Sequence, residues 1–420
     1  MRDDLLIRFL EKVYFIYGII FLNFMLFKKD ELRLLWPFYL YYLIFGLSTM
    51  IMPFMIIYFK NLNFSFFQIA ILTSSFGFSM FLFEVPTGAF ADMFSRKSSV
   101  ILGFIIGGSS VALIPLVNNF YLLLLLWALA GVRMTFVSGA EESWVVDNLN
   151  KFKREDLHHE FFIKSSSLAA FGAIFAPFMG ALLVKNYSMG VLWFIFGFGF
   201  LLNAIILFLF AEEHYKPKKI KLMNSFKQTY SNAKEGLKFT VLHKTVFFMI
   251  FASIFTRLMV VGDNAWQPFL IELGLETHQL GYLYAIAAAV SMILPFLSKF
   301  FIKFKPKNAI SFIVLIRMLF LFALIFVHPP FFLIAAIIFI MNSGLIRMKD
   351  PLIQTYIHKF IPKKIRATVI STRSMFSQLI VSLVALAAGW LLDIFGSQNI
   401  LAFGSMFGLI AIILYQRIKE

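Results

Sequence analysis

Twelve long apolar runs follow one another in this chain, most of them separated by only a few polar residues. That spacing leaves few folds open. The runs lie near 35–59, 66–91, 98–117, 120–147, 161–184, 188–211, 245–271, 279–302, 309–327, 330–357, 367–393 and 398–416. Most are about 20 residues or longer, the length at which a helix rising ~1.5 Å per residue crosses a ~30 Å hydrocarbon core. Strands of a membrane barrel would instead read as ~10-residue segments of alternating hydropathy. Composition agrees with helices in lipid. Hydrophobic residues make up 60% of the 420, charged residues only 14%, and mean hydropathy is +0.84. A water-soluble domain needs more polar surface than this. The fold class expected is an all-α membrane protein, with the lipid bilayer as its obligatory partner.

The formal charge of +16 invites a nucleic-acid reading, which the placement of the cations rejects. They sit in short connections between spans, and in alternate ones. One set holds Arg96 and Lys97; Lys151, Lys153 and Arg154; eight lysines between 212 and 244; Lys299, Lys303, Lys305 and Lys307; Lys359, Lys363, Lys364 and Arg366; and Arg417 with Lys419. The opposite set holds only Lys60 and Lys185. Positive residues stay on the cytoplasmic side, so both ends of the twelve-span body are expected there, in a prokaryotic inner membrane.

The connection after the second run, EVPTGAFADMFSRK at 84–97, is the most distinctive. Apolar sequence stops at Asp92, two cations follow, and another apolar run begins at once. Gly88 permits close backbone approach, and the Asp92 carboxylate suits the positive end of a neighbouring helix. Gly88, Ala91, Asp92, Arg96 and Lys97 resemble the loop 2–3 signature of the major facilitator superfamily, G-x-x-A-D-x-x-x-R-K. Met93 stands where that pattern commonly has a basic residue, and Ser95 where it has glycine. The resemblance extends over about 35–417. It implies two pseudo-symmetric six-helix bundles and solute transport by alternating access. It also implies that Asp147, at the end of the fourth span, pairs with Arg96, while Asp92 faces the start of the eleventh helix near Ala367. Closing those contacts would favour the outward-open state. The plainer reading is a static exposed ion pair of ~0–1 kcal/mol. The fifth span carries GAIFAPFMGA from Gly172 to Ala181, similar to the antiporter signature G-x-x-x-G-P-x-x-G-G, with Ala176 and Ala181 replacing glycines. Pro177 would kink that helix, and the motif implies export. A small-residue packing face, with import, is the alternative.

An internal repeat fits two halves. Leu62, Phe64, Gln68 and Ile69 align with Leu273, Leu275, Gln279 and Leu280. The same register sets Asp92 on Lys303 and Arg96 on Lys307, so the second copy keeps the charge of the cation and loses the acid. The domains expected are an N-terminal segment 1–34, a bundle 35–211, a cytoplasmic linker 212–244 and a bundle 245–420. The apolar stretch Val13–Phe27 covers only ~22 Å as a helix. It is expected to lie at the interface or insert partly, and a thirteenth crossing remains open.

Ionisable residues inside spans are costly and point to a solute path. Arg133 lies ~21 Å from Asp147 along its helix, Arg257 ~18 Å from Thr245, and Arg347 ~18 Å from Lys359. All three fall near mid-membrane in spans four, seven and ten, which by resemblance line a central cavity. Together they would bind a carboxylate, phosphate or sulfate group. The competing reading is internal pairing, with Asp350 beside Arg347 and with Glu141, Glu142, Glu84 and Asp263 neutralising the others. Arg317 in span nine is expected to form a structural pair. The four acids Glu142, Glu141, Glu84 and Asp263 are also the candidates for proton coupling, which needs a carboxylate that is protonated in one state and released in another. Span one holds no acid, unlike several drug antiporters of the family, which argues against a cationic drug.

Cysteine is absent, which removes disulfides and thiolate metal sites. No P-loop and no H-E-x-x-H motif is present, and no cofactor or metal is expected. The function expected is proton-coupled export of a small anionic or zwitterionic solute by a monomer that is not an enzyme. An importer or uncoupled facilitator of the same fold is one alternative. A non-transporting membrane enzyme or receptor is another.

Overall fold

The computed structural model describes residues 27–215, 234, 238–259, 262–301, 303–361 and 366–418, and the side chains of all of these except 355–359 and 366–378. Segment 1–26 and most of the 212–244 linker therefore lie outside the described residues. Among the described residues every regular element is a helix. Eleven helical runs are long and apolar enough to cross a membrane. The last, Leu379–Gln416, has 38 residues, ~57 Å if straight and too long for one crossing. Gly396 interrupts it at φ 77°, ψ 166°. That run thus accommodates the eleventh and twelfth expected spans, turning at Gly396.

The repeat recurs in the backbone. After the first span, Asn63 takes φ 62°; at the matching position after the seventh, Gly274 takes φ 102°. A left-handed residue closes a helix by turning the next two N–H groups back onto its last carbonyls. Here Asn63 N–H donates to Lys60 O (2.9 Å) and Phe64 N–H to Phe59 O (3.3 Å). Gly274 N–H donates to Ile271 O (2.9 Å) and Leu275 N–H to Leu270 O (3.0 Å). The next helix then starts alike in both copies: Gln68 Oε1 accepts from Ser65 N–H at 2.9 Å, and Gln279 Oε1 from Glu276 N–H at 3.0 Å.

Spans one, four, seven and ten are each broken. Glu31–Ser48 gives way to a tight turn at Thr49–Ile51 and restarts at Met55–Asn61. Pro53, which lacks an N–H, sits in that gap. Phe120–Val137 and Ala140–Lys151 meet at Gly139, φ 72°. Lys244–Leu258 and Trp266–Glu272 flank a turn at Asp263–Ala265. Phe332–Met348 and Asp350–Phe360 meet at Lys349, where Pro351 sits in the first turn of the second piece. The expectations of single helices over 120–147 and 330–357 missed these breaks, so the straight-helix depths of ~21 Å for Arg133 and ~18 Å for Arg347 do not hold.

Helices up to residue 210 pack mainly on one another, as do those from 244 onward. Between the two groups, span two meets span eleven and span five meets span eight. Among the described residues, the hydrogen bonds between the groups lie toward one end, that of the lysine-poor connections. Ser74 donates to Ser382 O (3.0 Å), Gln267 to Met52 O (3.5 Å), and Asp393 accepts from Phe66 and Phe67. Glycines allow the approach beneath. A Cβ on Gly281 would lie 2.3 Å from Pro177 O, and one on Gly389 would lie 2.4 Å from the Ala70 side chain. Toward the lysine-rich end, Phe81, Leu82, Phe83, Phe162, Ile163, Met292 and Ile293 are exposed, and a Cβ on Gly88 would meet nothing within 4 Å. Among the described residues the hydrogen bonds between the groups thus gather at one end.

Candidate functional site

At the lysine-rich end, Arg96 opens span three and reaches span four. Its Nη1 pairs with Asp147 and donates to Ser143 O at 2.6 Å, while its guanidinium stacks 4.4 Å from the Tyr215 ring. Lys97 Nζ donates to Ala211 O (2.6 Å) and Phe208 O (2.9 Å), the free carbonyls at the end of span six, where a cation is favoured. Glu213 accepts from Lys97 N–H (3.0 Å) and from the Ser95 hydroxyl. Tyr215 O–H donates to Asp92 O at 3.0 Å. Burial, with the Asp92 charge beside it, raises the Tyr215 phenol above its ordinary value. The linker start is thereby folded over the second-to-third connection. No hydrogen bond to the Asp92 carboxylate is found among the described residues, and at its expected partner, the start of the eleventh span, the side chains lie outside them.

In span five, Gly172 crosses Gly46 of span one so closely that a Cβ would sit 2.6 Å from Gly46 Cα. Ala176, Pro177, Gly180 and Ala181 are buried. The antiporter-like stretch therefore serves as a packing face, toward span one and, through Pro177 and Ala181, toward Gly281 of span eight.

The three candidate arginines fall in two environments. Arg133 is buried inside the first group, its guanidinium 4.0 Å from the Phe200 ring and 5.5 Å from those of Phe45 and Phe104. Its stem lies over Gly107, where a Cβ would come within 2.4 Å. Arg257 and Arg347 are exposed on the second group. Arg257 shares its surroundings with Lys349, a buried residue at the break in span ten that the sequence reading missed. The signal for it was the run RMKDP, Arg347 to Pro351, which puts a second cation two residues from Arg347. Asp350 pairs with Lys349 (3.4 Å); an ion pair with Arg347 is not found among the described residues. Arg317 is fully buried and donates from Nε to Asn342 Oδ1 at 3.0 Å, the structural pairing expected of it, although its two terminal nitrogens have no partner. Among opposite charges, Arg317 feels that of Asp263 most strongly. Asp263 is solvent-exposed although protein surrounds it, as befits a group lining an internal space.

Of the remaining acids, Glu141 is buried and accepts from Tyr42 O–H at 3.0 Å, with its other oxygen unpaired. Glu142 and Glu84 are exposed, and neither forms an ion pair among the described residues. One cavity lies apart from all of these, lined by Arg33, Phe38, Asn148, Phe152, Phe210 and Glu212 at the lysine-rich end of the first group. No group of three or more His, Asp or Glu residues able to hold a metal occurs among the described residues.

Residues 38–348 match the family profile described as Major Facilitator Superfamily. The chain is 26% identical over 380 residues to an uncharacterized MFS-type transporter, YxaM, of Bacillus subtilis (strain 168), covering 86% of this chain and 90% of that one. A bicyclomycin resistance protein homolog of Haemophilus influenzae is 26% identical over 171 residues, 39% of this chain and 40% of that protein. Among solved structures, the nucleoside transporter NupG (D323A mutant) superposes with a TM-score of 0.75 at 14% identity, covering 91% of this chain and 98% of that one. At that identity the likeness concerns the fold alone.

Proposed function

The chain belongs to the Major Facilitator Superfamily, and on that premise we propose that it is a secondary transporter exporting a small anionic or zwitterionic solute in exchange for protons. One observation supports this most: ionisable residues carried by the spans, Arg257, Arg347, Asp263, Glu142 and Glu84, are exposed. Charge facing lipid is costly, so such residues belong to the water-filled space between the groups. In this reading Arg257 and Arg347 hold the anionic part of the solute, with Lys349 behind them. Arg133, packed under aromatic rings, braces the first bundle rather than touching solute. Asp263, Glu142, Glu141 and Glu84 are the proton carriers, and Asp263 is the foremost because Arg317 offers it a counter-charge whenever the proton leaves. Gly88, Asp92, Arg96, Lys97 and Asp147 form the gate at the lysine-rich end, which is taken as cytoplasmic. The partial likeness to a resistance protein favours export over import, whereas the Pro177 stretch, occupied in packing, does not decide between them.

Uptake into proteoliposomes with an imposed pH gradient, run over anionic, zwitterionic and cationic solutes, tests the reading. For the solute that moves, Arg257→Ala should raise the half-saturation concentration about 10- to 100-fold, the loss expected for one charge-assisted hydrogen bond of ~1.5–3 kcal/mol. Unchanged affinity removes the anion site. Asp263→Asn should abolish uphill accumulation and leave downhill exchange running. Retained accumulation in that variant means that the coupling lies elsewhere or that the protein is an uncoupled facilitator.

A further inference from the structure

We propose that Asp393 is a gating residue: carried by span eleven, its carboxylate clamps the N-terminus of span two and holds the lysine-poor end of the central space shut. The inference rests on the alternating-access reading. Phe66 and Phe67 open the 28-residue helix of span two, and their N–H groups have no partner within the helix. Ser65 caps this helix locally, but its hydroxyl satisfies only Gln68 N–H. The two N–H groups left over donate to Asp393, Phe66 to Oδ1 at 2.8 Å and Phe67 to Oδ2 at 2.9 Å. Both oxygens are engaged by a segment more than 300 residues away in sequence, and they lie at the positive end of the helix dipole. Span two lies in the first group and span eleven in the second, so this cap exists only while the two are together at this end.

The surrounding contacts carry the same sign. Glu272, also in the second group, accepts from Ser397 O–H at 3.4 Å and feels the charge of Lys60 in the first group. Beneath this rim, Gly389 packs on Phe66 O and Ala70, and Ser74 donates to Ser382 O. The acids of the second group thus meet a cation and a helix N-terminus of the first. The arrangement mirrors the proposed role of Asp92, which stands at the other end of span two and would face the N-terminus of span eleven. Each of these two antiparallel spans would carry, near its C-terminal end, the aspartate that caps the other. One cap must open when the other closes.

The absence of cysteine makes the test direct. Ser74→Cys reports the closed end, since Ser74 is 2% exposed beneath the clamp. Ser138→Cys reports the other end, since Ser138 is exposed at the break in span four. Each is labelled with a membrane-impermeant maleimide in right-side-out and inside-out vesicles. Asp393→Ala should raise labelling at position 74 roughly threefold to thirtyfold, the range an N-cap carboxylate commands. Labelling at 138 should fall, and Asp393→Asn should lie between the wild type and Asp393→Ala. No change at 74 overturns the proposal. So does a rise at both positions, which would make Asp393 a staple of the fold and not a gate. Gly281→Leu separates failure of the clamp from failure of alternating access. Its side chain wedges spans eight and five apart whatever Asp393 does. If it moves the two labels in opposite directions and Asp393→Ala does not, alternation stands and the clamp is wrong. If neither variant does so, the rocking itself is wrong.

Discussion

Replacing Lys164 with methionine should lower the thermal unfolding midpoint of the purified protein more than any other single charge removal at its surface. The reason lies in Glu31, whose side chain is fully buried in the first turn of span one; the span begins at Glu31 and not at 35, so the expectation that it holds no acid is corrected. Lys164 of span five donates to both of its oxygens, at 2.6 and 2.8 Å, Tyr39 O–H donates at 2.7 Å, and Lys28 N–H at 2.7 Å. Glu160 extends the network, 3.1 Å from both Lys164 and Lys28. Removing one partner of a buried pair strands the other charge, at a cost of ~3–5 kcal/mol. The hydrogen bonds from Tyr39 and Lys28 remain, so the lower end of that range is expected. Removing both charges, Glu31→Gln with Lys164→Met, should restore most of the loss, because no uncompensated charge is then buried. A double variant as unstable as the single would show that the network acts through packing and not through charge. Unfolding followed by fluorescence in detergent decides between these.

The second large effect is steric. Gly172→Leu should reduce the yield of folded protein sharply, because spans one and five cross where Gly172 and Gly46 meet with no room for a Cβ. Separating two spans along a close contact forfeits packing that lipid cannot replace, since the hydrophobic effect does not hold helices together inside a membrane. Gly88→Ala is the contrast. Space is open around Gly88, so the folded yield should stay at the wild-type level. If turnover falls in that variant, the added methyl acts in the opposite state, when the lysine-rich end closes. Equal yields for Gly172→Leu and wild type, by size-exclusion chromatography, would contradict the crossing geometry.

Much of this protein was legible from hydropathy alone. A ~20-residue apolar run in lipid must close its backbone hydrogen bonds internally, which dictates a helix whatever the neighbours do. The short connections and the lopsided placement of lysine follow from the same solvent logic. The second-to-third connection and the repeat at 62 and 273 were readable because turns are built by local residues. The Arg96–Asp147 pair was within reach only through the resemblance that this connection bears to the family signature, and the two residues do pair.

Only the tertiary structure settled which buried charges share an environment. Successive residues on a helix point ~100° apart, so a small break or rotation turns a side chain from one neighbour to another. Arg133 was expected as a third wall of the central space and instead lies under Phe200, because Gly107 of span three leaves room for its stem inside the first group. Lys349 drew no notice inside the tenth apolar run, yet the break in span ten buries it beside Asp350. Asp393 carried no signal in the sequence, and the packing of span eleven on span two makes it a cap. The sequence by itself determined the solvent this chain lives in, the helices it must form there and the end where its cations gather, since each of these depends on composition along the chain. The meeting of residues hundreds of positions apart depends on how those helices turn and cross, and that was decided by packing.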